Sequence, residues 1–542
     1  MASDQSPESE SQPTAVAAKE RITGSRLLKS TSVVSSMTLL SRILGLARDI
    51  VFARFFGATI VMDAFIVANR IPNMLRRFFA EGAFSQGFVP VMARYREKHQ
   101  QEEARQFVDS VAGTFGLILF LITLAGVIAA PILVAIVAPG FIGEDGRFDL
   151  AAAMLRFTFP YLLFVSLTAF AGGILNTYGR LAVPAFTPVL LNVVLIAGAL
   201  WLAPMLEEPG MGLAYAVFAA GLIQLLFQLP FLARIHAVPR PRWNPHHPGV
   251  RRVTTLMLPA IFGSSVAQIN VLIGGIIASL LGVGKISLLY FSDRLMEFPL
   301  GLFGIALATV TLPTLSRQHA NESHREFSDT VDWSMKLVLL IAVPAAVGLI
   351  VLAEPLVASI FYYGVFTVFD LRMTALALQA FALGLVGFSY VRILAPAYFA
   401  RENTRTPVRF GLIALAVNFV LSVALAYGLT RAEYDGTHAG LALAISVSAI
   451  LNAWLLYRGL RRDDVLRHSA GWGRLSAQVV AGVVGMTWCL VIMERPLAWW
   501  VAATMVDRMI WLSASVFAGM AVYFAVLLLL GLRTSHLRLR SN

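Results

Sequence analysis

The sequence predicts an all-α polytopic membrane protein of fourteen transmembrane helices: two six-helix lobes related by an internal repeat, two further C-terminal helices, and a central cationic cavity. Three observations carry that reading. Of 542 residues, 58% are hydrophobic and 14% charged, where soluble domains carry roughly a quarter charged, and the mean hydropathy is +0.73. Apolar stretches of about 20 residues, the length needed to cross hydrocarbon, recur along the whole chain. Segments of the first half also return in the second at a nearly constant separation.

Taken in order, residues 1–18 are polar and lack aromatics, so they bury too little apolar surface to repay ordering. We expect 1–26 to be a disordered cytoplasmic tail that is not cleaved as a leader. Candidate spans then fall near 31–56, 61–93, 107–138, 149–176, 183–204 and 211–235, an N-lobe over 27–236. A basic, Pro-rich connector, 237–252, leads to spans near 253–281, 287–315, 329–361, 371–398, 407–429 and 439–459, a C-lobe over 253–462. Spans near 475–493 and 508–532 complete the chain within 463–542, which ends in a short cytoplasmic tail.

Basic residues sort to one side. Arg94, Arg96, Lys98, Arg240, Arg242, Arg251, Arg252, Arg401, Arg405, Arg458, Arg461, Arg462, Arg533, Arg538 and Arg540 share a side, while the opposite loops are acidic or neutral apart from Arg147 and Arg431. By the positive-inside rule both termini are cytoplasmic. The net charge of +12 is therefore read as topology, and no nucleic acid partner is expected.

The repeat rests on four ordered matches. Gly57 through Asn69-Arg70-Ile71 echoes Gly282 through Asp293-Arg294-Leu295; Pro90 echoes Pro313; Phe148-Asp149-Leu150 echoes Phe369-Asp370-Leu371; Pro184 echoes Pro407. Parallel repeats of six spans place a cavity between two lobes.

Charges inside the spans point into that cavity. Arg42 lies about 17 Å along the axis from Thr31, near mid-membrane, where an unpaired arginine costs at least about 2.5 kcal/mol. Arg48 and Asp49 follow on the same span. Asp63, Arg70, Arg76, Arg77 and Glu81 crowd the second, and Asp293, Arg294 and Glu297 the eighth. Arginine outnumbers acid there, and guanidinium matches phosphate bidentately. We expect Arg42, Arg48, Arg76, Arg77 and Arg294 to bind a phosphate-bearing substrate, with Asp49, Asp63, Arg70, Glu81, Asp293 and Glu297 as charge support. Pro72, Gly82, Pro299 and Gly301 are candidate flex points. Asn270, Asn418 and Ser422 are read as helix-to-helix hydrogen bonds rather than an ion site.

Other chemistry is excluded. One cysteine, Cys489, and nine histidines in polar connections rather than in apolar spans leave no metal site and no cofactor to expect. The stretch GVGKI at 282–286 lacks the spacing and the Ser or Thr of a phosphate loop, so no ATPase is expected.

SRILGLARD at 41–49, MDAFIVANRIPNMLRRFFAEGAFSQGFVPV at 62–91, SDRLMEFPLGLFGIALATVTLPTLS at 292–316 and LAPAYFARENTRTPVR at 394–409 closely resemble the MurJ (MviN) lipid II flippases. That family belongs to the superfamily of multidrug, oligosaccharidyl-lipid and polysaccharide exporters, and the likeness runs from about residue 27 to the end. The resemblance implies two six-helix lobes plus two C-terminal helices that form a lipid-tail groove. It implies alternating-access transport of undecaprenyl-pyrophosphate-linked disaccharide pentapeptide, lipid II, to the outer leaflet for peptidoglycan synthesis, without enzymatic bond making. Membrane lipids and cell-wall synthesis proteins are the implied partners. Family functional residues fall on Arg42, Arg48, Asp63, Arg76, Arg77, Glu81 and Arg294, while Arg70 stands where relatives carry lysine. The sodium site of some members needs an acid in span seven, and 253–281 has none. Three rival readings stay open at this point: a flippase for another polyprenyl-pyrophosphate glycan, a scaffold for cell-wall enzymes, and a cation antiporter.

Overall fold

The computed structural model describes residues 15–77, 83–98, 101–143 and 146–532, and every regular element among them is a helix. The first helix, α1 (Ala15–Phe56), starts inside the segment expected to be a tail. Residues 15–26 read AVAAKERITGSR, rich in strong helix formers, and propagate from a membrane span that has already met the nucleation cost. The remainder of that expected tail, 1–14, lies outside the described residues.

The first half continues with α2 (Ile60–Arg76), α3 (Ala83–Lys98), α4 (Gln101–Ile128), α5 (Ala130–Val137), α6 (Arg147–Thr158), α7 (Tyr161–Thr177), α8 (Ala182–Ala197) and α9 (Pro209–Arg234). The second half comprises α10 (Pro248–Ser279), α11 (Lys285–Ala320), α12 (His324–Val351), α13 (Ala353–Ile360), α14 (Val368–Leu383), α15 (Leu385–Phe399), α16 (Arg405–Arg431) and α17 (Thr437–Arg462). Then come α18 (Trp472–Ile492), α19 (Leu497–Ala502) and α20 (Met505–Leu529). Among the described residues nine helical stretches are long and apolar enough to cross a membrane, and ten if α14 and α15, bent by 41°, form one. The bend falls at Gly384, which α14 and α15 share as cap. By contrast α2 runs through Pro72 and α11 through Pro299, two of the expected flex points.

Burial shows how the halves meet. At the end away from the basic loops, Phe52, Phe65, Met154 and Leu213 of the first half join Phe291, Phe361 and Leu378 of the second in one core. At the basic end the cores separate. Phe84, Phe88, Phe107 and Phe170 pack with Val253 and Met257 of α10, whereas Leu315, Phe327, Tyr398 and Leu456 form their own cluster. Among the described residues the halves thus share one core at one end and, apart from α10, whose basic end packs on the first half, keep separate cores at the other. Gly140 marks the closed end: its N–H donates to Ser279 Oγ (3.2 Å), and a Cβ there would stand 2.1 Å from the Ser279 carbonyl oxygen. Nearby, the Val365 N–H donates to the Arg54 carbonyl (3.0 Å).

Asn418 Nδ2 donates to Asn270 Oδ1 (2.7 Å) and Ser422 Oγ to Asn418 Oδ1 (3.4 Å), so these polar groups tie α16 to α10 as expected. One histidine departs from expectation. His438 opens α17 fully buried, its Nε2 paired with the Met373 carbonyl (3.0 Å); one polar ring can enter a span's first turn when a carbonyl meets it.

The last helices are fastened at both ends to the second half. Leu340 of α12 packs with Val479, Met486 and Tyr523. At the basic end buried Asp332 accepts from His468 Nδ1 (3.0 Å), Trp472 Nε1 (2.7 Å) and Ser469 Oγ (2.5 Å), and pairs with Lys336 (3.1 Å). At the other end buried Arg508 donates to the carbonyls of Ala358 (3.2 Å), Tyr362 (3.0 Å) and Val501 (2.8 Å). Replacing Asp332 by alanine strands these donors and should cost about 3 kcal/mol. A fall of several degrees in the thermal unfolding midpoint of the purified protein checks this, and an unchanged midpoint would refute the clamp.

Candidate functional site

Where the shared core gives way to separate ones, charged side chains from both halves converge. On α1, Arg48 and Asp49 lie one turn short of the core residue Phe52. On α11, Tyr290, Arg294 and Glu297 recur at helical spacing, so they share one face. Arg48 donates to Asp49 Oδ1 through Nε (3.0 Å) and Nη2 (2.7 Å), to Tyr290 OH through Nη2 (3.2 Å), and to Asn192 Oδ1 of α8 through Nη1 (3.1 Å). The Tyr290 hydroxyl donates in turn to Asp49 Oδ1 (2.7 Å). Arg294 reaches Asp49 Oδ2 at 3.7 Å and Glu297 Oε2 at 2.8 Å, its guanidinium 4.9 Å from the centre of the Tyr290 ring.

Asp49 is the shared acceptor. Its side chain is 4% exposed, whereas that of Arg294 is 37% and that of Glu297 50%. The cluster therefore has a buried root and a wet tip. Two arginines face two carboxylates, Asp49 buried at the root and Glu297 at the wet tip, so an incoming anion competes with Glu297 for the guanidinium donors of Arg294.

Other expected residues stand around this root. Arg42 is exposed, about 9 Å nearer the basic end of α1 than Arg48, and rests against Gly301 of α11, where a Cβ would stand 1.8 Å from its Nη1. Arg77 is exposed and Arg76 half-buried, its Nε donating to Asn73 Oδ1 (3.2 Å). Half-buried Arg70 lies against Gly275 of α10, where a Cβ would be 1.7 Å from Nη1, and that nitrogen has no hydrogen-bond partner among the described residues. Asp293 stands within electrostatic reach of Arg70, Arg77, Arg294 and Glu297. Glu81 and Gly82 lie outside the described residues.

Asp63 corrects the expectation that it braces cavity arginines. Its carboxylate accepts from the Gly284 N–H (2.6 Å), the Ser287 N–H (2.9 Å) and the Ser287 hydroxyl (2.6 Å). It thereby satisfies the orphan donors at the start of α11, a helix whose entry needs Gly284 at φ +80. Asp63 is a bolt across the closed end, fastening α2 to α11.

Three residues escaped the sequence reading. Asn192 was legible as the one asparagine in the span near 183–204, and Tyr290 lies one turn before Arg294 on its face. The third is Arg392 of α15, which donates to the Leu300 carbonyl beside Pro299 (2.9 Å) and has Glu297 and Arg42 as its charged neighbours. Its mid-span position could have flagged it by the criterion that selected Arg42.

Comparison with known proteins follows the same lines. A family model described as lipid II flippase MurJ matches residues 52–510. A probable lipid II flippase MurJ of Vibrio cholerae serotype O1 is 45% identical over 522 residues, covering 95% of this chain and 98% of that protein. Lipid II flippase MurJ of Burkholderia cenocepacia is 40% identical, covering 95% of this chain and 100% of its own. Among solved structures, lipid II flippase MurJ in an inward closed conformation superposes with a TM-score of 0.74 at 26% identity, over 91% of this chain and 97% of that one. An inward-facing multidrug resistance transporter of the MATE family shares the fold at a TM-score of 0.63 and 15% identity, over 80% of this chain and 98% of its own.

Proposed function

Because the chain belongs to the MurJ family of lipid II flippases, we propose that it carries lipid II from the inner to the outer leaflet of the bacterial cytoplasmic membrane for peptidoglycan synthesis. It is a transporter, and no bond is made or broken. The observation that carries the reading is the junction of Arg48, Asp49, Tyr290 and Arg294 across both halves, just where they part.

In this reading the halves are lobes of six spans each. The long helices α1, α10 and α11 and the α2–α3 stretch supply four further spans beside the apolar ten, which brings the total to fourteen. The basic loops and both termini face the cytoplasm, so the parted end opens inward. The pyrophosphate meets Arg42, Arg76, Arg77 and Arg392 at the rim, then Arg48 and Arg294 at the root, where it takes over donors held by Asp49 and Glu297. The polar head stays in the wet cavity and the polyprenyl tail in lipid, which avoids a desolvation cost of several kcal/mol per exposed polar group. A ligand shifts a two-state equilibrium only through differential affinity. Here the dianion binds best when arginines of both lobes close on it, and closing the inner end levers the outer end apart against the Asp63 bolt.

The test is the fraction of lipid II accessible on the outer leaflet before and after rapid depletion of the protein in cells without a redundant flippase. A fall that wild-type protein restores supports the assignment. No fall would move it to another polyprenyl-pyrophosphate glycan or to a scaffold.

A further inference from the structure

The connector between α9 and α10 is not slack chain. Backbone N–H groups at Arg240, Arg242 and Asn244 donate in alternation onto α4: to Asp109 Oδ1 (2.6 Å), the Asp109 carbonyl (3.0 Å) and Thr114 Oγ1 (3.4 Å). It lies flat because Gly113 has no Cβ, which would stand 2.2 Å from the Arg242 carbonyl oxygen. Pro239, Pro241, Pro245 and Pro248 stiffen it. At its far end the His247 Nδ1 accepts the Gly249 N–H (3.1 Å), and burial pushes that imidazole's pKa down, keeping the nitrogen able to accept.

With its backbone turned to the protein, this strap leaves Arg240, Arg242 and Trp243 exposed, Trp243 by 59%. Arg251 and Arg252 in the first turn of α10 are exposed as well. Their depth is readable from the neighbouring helices. The exposed apolar side chains of α4 begin at Leu117, just past Thr114, and those of α10 at Leu256, one turn past Arg252. At 1.5 Å per residue the strap sits within about 6 Å of the hydrocarbon edge, the thickness of a headgroup layer. Asp109 is buried beneath it, and Glu102 and Glu103 stand more than a turn farther from the hydrocarbon.

We propose that this strap is a binding site for anionic phospholipid headgroups, with Arg240, Arg242, Arg251 and Arg252 on phosphate oxygens and Trp243 seated at the interface. A basic cluster beside membrane spans attracts anionic lipid, and an exposed tryptophan at that depth belongs at the headgroup level. A soluble acidic partner has no use for a ring placed there. The inference stands on exposure and depth, and its test reads binding without reference to flipping.

The full-length protein is titrated with phosphatidylglycerol and with phosphatidylcholine in detergent, and bound lipids are counted by native mass spectrometry. Wild type should retain phosphatidylglycerol preferentially. Arg240→Gln with Arg242→Gln, both exposed and so harmless to folding, should weaken that retention about thirtyfold, and Trp243→Ala should weaken it less. Inorganic phosphate at equal concentration should not compete. Equal retention by wild type and the double variant would overturn the proposal. So would displacement by phosphate, or binding of polyglutamate in phosphatidylcholine discs as tight as that of phosphatidylglycerol, which would point to an acidic soluble partner.

Discussion

Replacing Arg294 by alanine abolishes the outer-leaflet appearance of lipid II, with a loss of at least about a hundredfold, equivalent to two charge-assisted hydrogen bonds at roughly 1.5 kcal/mol each. The side chain joins Asp49, Glu297 and the Tyr290 ring, so its removal empties the cluster's wet tip while Arg48 still holds the buried root. Membrane insertion and protein level should be unchanged, because the tip is 37% exposed and no buried group is stranded. Arg294→Lys keeps the charge and loses the planar fork, so it should recover part of the activity, about a tenth of wild type. The check is leaflet accessibility of lipid II in depleted cells complemented with each variant. Normal flipping by the alanine variant would remove Arg294 from the binding set.

The second large effect lies at the opposite end. Gly140→Val drives a side chain into the Ser279 carbonyl and the Leu280 nitrogen. Those neighbours are backbone and have no rotamer to change. Each half keeps its own packing, but the closed end can no longer close. Ser287, fully buried against Asp63, then meets water. With Cys489→Ser as background, Ser287→Cys should react with a membrane-impermeant thiol reagent several-fold faster when Gly140→Val is also present, and flipping should fall more than tenfold. Unchanged reactivity together with normal flipping would show that contact at Gly140 is not what holds the end shut.

Much of this arrangement was legible in the chain. Span positions follow from hydropathy, and the pairing of Arg294 with Glu297 is local, so their spacing of three on one helix carried it. What escaped depends on partners distant in sequence. Asp63 shares a helix with Arg70, Arg76 and Arg77, which made an arginine brace the natural reading. Its actual partners, Gly284 and Ser287, lie on a helix entry 221 and 224 residues away, and nothing in local periodicity announces them. Asn192 and Tyr290 are polar residues that mean little until Arg48 is seen between them. Arg392 belongs to a helix broken at Gly384, and the break is tertiary in origin. The start of α1 was missed for the opposite reason: polar composition outweighed a run of good helix formers.

The two glycines on which arginines rest, Gly275 beneath Arg70 and Gly301 beneath Arg42, have a consequence for drug resistance. An inhibitor that competes for Arg42 cannot be escaped by losing that arginine if the substrate needs it too. Gly301→Ala keeps the guanidinium but makes its flexible head step aside, altering the fit of a rigid competitor more than that of a long, adaptable substrate. Selection under such an inhibitor therefore falls on an uncharged position, which a survey confined to the arginines would overlook.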